Sequence, residues 1–384
     1  RSQVYNEIDG TTPVVDFTAG SYVSGSTLVS STSGETWTLE GNASIFQPPV
    51  DESGPFGYLA EKASTNLAAS QNPAAGIGAT WAANTVVPAP TGSIDGLKII
   101  AGGGSSIHGV YWGPISFSTT AHTYSLYMRR GNTTHGQIIF GTASGSVGVQ
   151  AILNFGTGVV TTNTTAGYTL VGASAKDVGN GWYRVHIAMT TAGGGYYPYA
   201  GPSDGNSTWT GTGTEYCYIW GLQLEASTYP TSYIATTTTA VTRNADVLTA
   251  GDMVTDAAGT AYTEASSIWA TAAGNYILAR NSNGRLLWGS SSTQARAYNG
   301  TTSPASAYGL SYQNRPAPMA STWGNDFTVY KDGTAGAALS YNGTMASGNL
   351  GIGSDQAGSG QWDGTVREVK IFDSELTAEE IGDL

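Results

Sequence analysis

Apolar and polar residues alternate in short runs along most of this chain. Thr123 to Arg129 reads Thr-Tyr-Ser-Leu-Tyr-Met-Arg, and Trp182 to Met189 reads Trp-Tyr-Arg-Val-His-Ile-Ala-Met. Both have period two, the mark of a strand with one buried face. Residues 137–140, 148–153 and 216–224 predict further strands, as do 276–279, 285–288, 326–330 and 365–372. Clusters of Gly, Asn, Ser and Thr separate them, with hairpin-type pairs at Asn283-Gly284, Asn299-Gly300, Asp332-Gly333 and Asn342-Gly343. Long helical periodicity is missing. One short helix is predicted, opened by a capping box with Thr377 at the N-cap and Glu380 at N3 and running through Ile381. The pattern predicts an all-β chain of two tandem antiparallel β-sandwiches.

A threonine-rich stretch from Tyr233 to Asp246 has few bulky apolar residues and marks the boundary. The expected organisation is an extended segment, 1–65, packing on the first sandwich; the first sandwich, 66–235; a linker, 236–247; and the second sandwich, 248–384.

Composition narrows the class. The chain has 15 Lys and Arg against 27 Asp and Glu, a net charge of −12, and only 11% charged residues. With 10 Trp, 22 Tyr and 8 Phe it is too aromatic for a disordered chain. Nucleic-acid binding is not expected, because phosphate neutralisation needs clustered cations. Nor is a membrane span, because no apolar run approaches about 20 residues. No charged-then-apolar leader is visible, which suits release by lysis rather than secretion. The single cysteine, Cys217, lies in an apolar strand-like run and is expected to be a buried small hydrophobe. A chain without disulfides suits a reducing bacterial cytoplasm.

Catalytic patterns are sparse. His108, His122, His135 and His186 form no zinc-type spacing. Gly201-Pro-Ser-Asp-Gly205 matches a nucleophile elbow by letter but lacks the strand–turn–helix setting. Glu7-Ile-Asp9 begins the carboxylate alternation of a glycan hydrolase, but Gly10-Thr-Thr follows. A protein without catalysis is expected, with a glycan hydrolase or lyase as the alternative. No cofactor is expected; Asp204, Asp326 and Asp332 could supply oxygen ligands to a structural calcium.

The aromatic candidates are Tyr196, Tyr197, Tyr199 and Trp209, with Asp204 and Asn206, in a Gly/Ser/Asn-rich stretch that reads as a loop. Aromatic planes stack on the C–H faces of sugars, while Asp and Asn hydrogen-bond their hydroxyls. Packing against a neighbouring subunit is the other reading of the same residues. Tyr111 and Trp112 form a second candidate pair, with a strand-core reading beside it.

Several segments carry a family resemblance. Gly57-Tyr-Leu-Ala-Glu-Lys-Ala-Ser-Thr-Asn-Leu67, Gly179-Asn-Gly-Trp-Tyr-Arg184, Tyr218-Ile-Trp-Gly-Leu-Gln-Leu-Glu225, Tyr229-Pro-Thr-Ser-Tyr-Ile234 and Val241-Thr-Arg-Asn-Ala-Asp246 resemble, in order, a module of phage structural and tail-associated proteins. That module is similar to jelly-roll carbohydrate-binding domains. Trp323 to Gly333, Trp362 to Phe372 and Leu376 to Ile381 resemble the concanavalin A-like/laminin G-like sandwich. In the resembled module Glu61 and Glu225 are structural, with Arg184 and Arg243 as candidate partners. Trp182, Tyr183 and Trp220 are expected to fill the core, and Thr65-Asn66 to satisfy turn backbone.

The resemblance implies a virion surface protein (a fibre, spike or capsid decoration) that is made in the bacterial cytoplasm and binds host surface polysaccharide. Its partners would be other virion proteins and further copies of the chain, a trimer being one such assembly. A cement protein without sugar binding, or a secreted bacterial glycanase or carbohydrate-binding module, are the alternatives.

Overall fold

The structure, a computed structural model, describes residues 57–384 except 69–70, 118–119, 142–146, 191–193, 268–274, 292–293 and 307–315. Before residue 57 it describes the backbone of the short strands Ser2–Tyr5, Val15–Phe17, Thr27–Val29, Thr36–Glu40 and Ser44–Phe46. The Glu7-Ile8-Asp9 segment lies outside the described residues. The chain forms two compact units: Ser64–Thr242, and Arg1–Ala63 together with Arg243–Leu384.

The unit Ser64–Thr242 has two antiparallel layers, as its alternating patterns require. One sheet runs in the order Thr169–Asp177, Trp182–Thr190, His122–Arg130, Tyr216–Glu225, Leu97–Ala101, Ala79–Ala83. The other runs Val160–Thr164, Val147–Asn154, His135–Gly141, Gly194–Ser203, Gly109–Tyr111, Ala75–Ile77, with Ile115–Phe117 also on Gly194–Ser203. Tyr124, Leu126 and Met128 from the first sheet share a buried core with Ile138, Phe140, Val149 and Leu153 from the second. Burying each such side chain contributes roughly 1.5–3 kcal/mol. Cys217 is fully buried in this core, and its burial pushes the thiol well above its usual range.

The second unit is also a pair of sheets. Gly364–Phe372, Gly259–Ser267, Ala317–Trp323 and Asp326–Lys331 are antiparallel neighbours in one. Gln294–Tyr298, Gly284–Ser291, Asn275–Asn281, Leu350–Ile352 and Val247–Ala250 are neighbours in the other. Trp323, Trp362, Phe327, Leu278 and Leu287 are fully buried in its core. Asp332 and Gly333 both have positive φ (49° and 73°) and close the hairpin to Thr334–Ala335, as an Asp-Gly pair favours. The terminal helix spans Ala378–Gly382, with the Thr377/Glu380 capping box formed.

The N-terminal segment and the linker differ from expectation. Residues 1–63 belong with the second sandwich, not the first. Ser2–Tyr5 pairs in parallel with Gly364–Phe372, Gly57–Ala60 pairs antiparallel with the same strand, and Thr36–Glu40 pairs with Val247–Ala250. The first sandwich is therefore an insertion in the sequence of the second. Within the expected linker the exposed run is 237–242, and its first part, 237–240, precedes the short strand Val241–Arg243. Arg243 and Asp246, which follow, are buried.

Those two residues close the unit around Glu61. Arg243 Nη1 lies 3.1 and 3.2 Å from the two oxygens of Asp246, and Nη2 lies 3.2 Å from Glu61 Oε2 and 3.1 Å from the Lys62 carbonyl. The Glu61 N–H donates to Asp246 Oδ2 at 3.0 Å. The expected Glu61–Arg243 pairing is thus formed. Among the described residues Glu225 has no such partner; its buried carboxylate accepts from the Ser64 hydroxyl (2.5 Å), Gln223 Nε2 (2.7 Å), the Thr231 hydroxyl (2.6 Å) and the Thr231 N–H (3.0 Å). Arg184 instead donates to the Thr231 carbonyl.

Proteolysis should cut within 237–240, yet the two fragments should co-elute in native buffer, because strands before residue 63 remain paired with strands after 243. Fragments that separate without denaturant would overturn that pairing. A second expectation concerns pH. Burial, reinforced by the Glu61 charge and opposed by Arg243, pushes the Asp246 carboxyl up to about 7. The folded unit therefore holds a proton that the unfolded chain releases near pH 4. The resulting stability is present below about pH 4 and lost as pH rises toward 7, by on the order of 1–3 kcal/mol. Asp246→Asn should remove that decline in chemical denaturation curves measured between these pH values; an unchanged slope would refute it.

Candidate functional site

The strand Tyr216–Glu225 places Cys217 and Ile219 in the core, so Tyr216, Tyr218 and Trp220 face away from it. The alternation then breaks. Pairing with His122–Arg130 shifts register between Ser125 and Tyr127, Gly221 has φ 67°, and Leu222 and Leu224 resume the core face. Such a bulge re-aims a side chain. Here it leaves Trp220 half-buried between Tyr127, at 5.2 Å between ring centroids, and Tyr233, at 4.5 Å. A Cβ at position 221 would lie 3.0 Å from the Tyr127 ring and 3.3 Å from that of Tyr233, so glycine lets the rings close.

Tyr233 sits on a segment without strand pairing, and side chains fix it. Gln223 Oε1 accepts the Ile234 N–H at 2.6 Å, and Gln223 Nε2 donates to the Thr231 and Ser232 carbonyls at 3.1 Å. Asn66 Nδ2 donates to Ile234 O at 2.8 Å and Leu222 O at 3.0 Å, while its Oδ1 accepts from Leu224 N and Ala68 N at 3.0 and 3.1 Å. Asn66 lies on the short strand Ser64–Asn66; it satisfies the local Ala68 N–H, as expected, and also joins neighbouring segments.

Trp220 and Tyr233 form one side of a cleft of about 460 Å³ whose other lining residues include Gln71, Thr91, Ser93, Asp95, Leu97, Trp112, Leu222 and Thr236. Asp95 is exposed, accepts the Ser93 hydroxyl at 2.9 Å, and Ser93 in turn meets Thr91 at 2.7 Å. Burial, with the Asp95 charge and Tyr127 adding, pushes the Tyr233 phenol up to about 12, so it stays a neutral hydroxyl. The cleft combines apolar ring faces with hydroxyl, amide and carboxylate groups. Asp95 is the single carboxylate among its lining residues, whereas glycoside hydrolysis ordinarily uses two. These groups could hold a ligand that has both apolar faces and hydroxyls.

Most of the sequence-predicted residues lie elsewhere. Tyr196, Tyr197 and Tyr199 are on the strand Gly194–Ser203, not in a loop; this strand pairs on both sides despite its Gly and Pro content. Tyr199 is buried and lies tilted against Tyr111 (5.4 Å), Tyr197 meets Tyr111 edge-on (5.5 Å), and Tyr196 meets Tyr168 (5.7 Å). Trp209 is buried against His108 at 4.5 Å. Asp204 and Asn206 are both exposed, and Asp204 Oδ1 accepts both the backbone and side-chain N–H of Asn206, closing a turn. Trp112 is buried, donates to the Gln71 carbonyl at 3.1 Å and alone of the candidates lines the cleft. Trp182 is buried, as expected, whereas Trp220 is half-buried at the cleft instead of filling the core. Alternation from Cys217 to Ile219 could have placed Trp220 outward; no pattern marks Tyr233 or Asp95.

The remaining chemistry is dispersed. No helix follows Ser203, whose hydroxyl donates to the Asn206 carbonyl. Asp204, Asp326 and Asp332 stand apart, and among the described residues no group of three or more His, Cys, Asp or Glu could hold a metal ion. His186 is pushed down to about 3 by burial and by Arg184.

Comparison with known proteins bears mainly on the second sandwich. Residues 254–382 match a laminin G-type family model described as the concanavalin A-like lectin/glucanases superfamily. No curated protein matches the chain. Among solved structures, a Bacteroides ovatus ATCC 8483 protein to which carbohydrate binding is ascribed is 11% identical, with a TM-score of 0.28, over 68% of this chain and 79% of that one. Domains LG4-5 of the mouse laminin alpha1 chain are 12% identical, with a TM-score of 0.24, over 86% and 92%. A Trypanosoma rangeli sialidase is 10% identical, with a TM-score of 0.27, over 91% and 66%. Likenesses this low transfer no site residue.

The geometry makes Asn66 the main support of the cleft wall. Asn66→Ala would leave four backbone groups without this partner, each costing roughly 1–3 kcal/mol if unsatisfied. Thermal denaturation should show strong destabilisation of the unit Ser64–Thr242, whereas Thr65→Ala, at an exposed Thr65–Thr242 hydroxyl contact, should have little effect. Equal effects would contradict this role.

Proposed function

We propose that this chain is a non-catalytic glycan-binding protein and that the cleft beside Trp220 and Tyr233 takes a sugar unit. The observation that carries this reading is the ring wall of Trp220 and Tyr233, backed by Tyr127, in one cleft with the Thr91–Ser93–Asp95 hydroxyl and carboxylate series. A pyranose offers an apolar C–H face to the first and hydroxyls to the second. At about 25 cal/mol per Å² of apolar area, one stacked ring contributes on the order of 1–2 kcal/mol. A single site of this kind binds weakly, and useful adhesion needs many copies.

A particle surface supplies such copies. The ordered resemblance of segments between Gly57 and Asp246 to phage structural and tail-associated proteins supports a place on the virion surface, where the ligand would be host-cell polysaccharide. Other virion proteins and further copies of this chain are then its partners.

The test is binding of the full chain to purified host polysaccharide. The paired variant Trp220→Ala/Tyr233→Ala should weaken binding by about tenfold or more, with the circular dichroism spectrum retained and no reducing sugar released by the wild type. Added salt should change this binding little, because Asp95 is the lone charge lining the cleft. Undiminished binding by the variant would refute the cleft assignment, and normal binding with poor particle assembly would favour a cement role. Tyr199 and Trp209 are poor probes of sugar binding: both are buried, so alanine there would damage packing.

A further inference from the structure

The second sandwich carries a cationic and aromatic face that the cleft does not explain. From residue 265 to residue 325 the sequence has no Asp or Glu but has Arg280, Arg285, Arg296 and Arg315, in a chain of net charge −12. Arg280 is buried and pairs with Asp252. Arg285 and Arg296 are half-buried on neighbouring strands, Gly284–Ser291 and Gln294–Tyr298. Leu286, Leu287, Ala295 and Ala297 of these strands fill the core, so the arginines face outward with Trp288 and Tyr298.

Register brings the outward groups together. Arg285 is opposite Tyr298, and Trp288 is opposite both Arg296 and Tyr276. The Arg285 guanidinium lies 5.0 Å from the Tyr276 and Trp288 rings and 5.5 Å from the Tyr298 ring. Neither Arg285 nor Arg296 has an ion pair among the described residues, and the Nε of each and the Trp288 Nε1 are buried without an acceptor there. Stacking engages the flat face of a guanidinium and leaves its terminal Nη donors for an anion. Fork-like pairing with carboxylate or sulfate oxygens is the strong use of those donors.

We propose that this face is a second ligand site, specific for an acidic saccharide whose carboxylate or sulfate pairs with Arg285 and Arg296. The rings beside them offer planar apolar surface for the sugar. An acidic peptide adding as a strand is the less suitable occupant, because the outer edge is already used: Ala297 N donates to Pro304 O and Asn299 N donates to Thr302 O. This site is independent of the Trp220 cleft, whose lining holds no cation.

The test uses the full chain, with sulfated dextran oligosaccharides, oligogalacturonates and unmodified dextran as probes in titration calorimetry. One or both charged probes should bind about tenfold or more tightly than the neutral one, and added salt should weaken that binding. The pattern between the two separates sulfate from carboxylate recognition. Arg285→Gln/Arg296→Gln should lose about tenfold or more of the charged binding, while Trp220→Ala leaves it unchanged. Among the described residues Arg296 makes no cation–ring contact of the kind that holds Arg285, so Arg296→Glu alone tests the charge without that stacking if the double variant fails to fold. Equal affinity for neutral and charged probes, or charged binding that survives Arg296→Glu, would overturn the proposal.

Discussion

A backbone segment that runs over a sheet without joining it must have its polar groups satisfied by something other than strand pairing. Residues 226–236 are such a segment, and much of it is buried. Asn66, Gln223 and Glu225, themselves fully buried, supply the partners. Each unsatisfied group would cost roughly 1–3 kcal/mol, so the set outweighs the stacking of any one ring. That is why Tyr233 has a defined place against Trp220. The cleft wall is built by buried amides and a carboxylate, and the aromatic groups are positioned by them. The same logic operates in the other unit, where Arg243 is held by Glu61 and Asp246 and losing a partner would leave a buried charge to bear the full cost of desolvation.

Period-two alternation reveals the strands because each buries one face. His122–Arg130 and Trp182–Thr190 extend the predicted runs by little, and the Thr377/Glu380 box locates its helix because capping is local chemistry. Pairing across hundreds of residues is not local. Nothing in Ser2–Tyr5 or Gly57–Ala60 states that Gly364–Phe372 is their neighbour, so the expectation that residues 1–65 pack on the first sandwich fails. Composition misleads at Gly194–Ser203, where Gly and Pro read as loop although the strand is paired on both sides. The site is legible only in part. Trp112 can be named from sequence, and Trp220 stands out but reads as a core residue. Tyr233 and Asp95 converge through the bulge at Gly221 and through side-chain hydrogen bonds, neither of which has a periodic signature.

The two proposed surfaces solve different electrostatic problems. A sugar without charge needs no cation, and a cleft with one carboxylate at its rim repels acidic sugars while accepting hydroxyls. An acidic sugar meets a protein of net charge −12, whose average field opposes it. That field is screened over about 8–10 Å at moderate ionic strength, so the local arrangement decides. The stretch from 265 to 325 keeps acidic side chains out of the sequence around Arg285 and Arg296. Stacking on Tyr276, Trp288 and Tyr298 then holds one guanidinium in place without a carboxylate that would neutralise it. Aromatic rings can fix a cation and leave its charge available, which an ion pair cannot do; the composition of the stretch 265–325, with rings and arginines but no Asp or Glu, is the one that such a requirement selects.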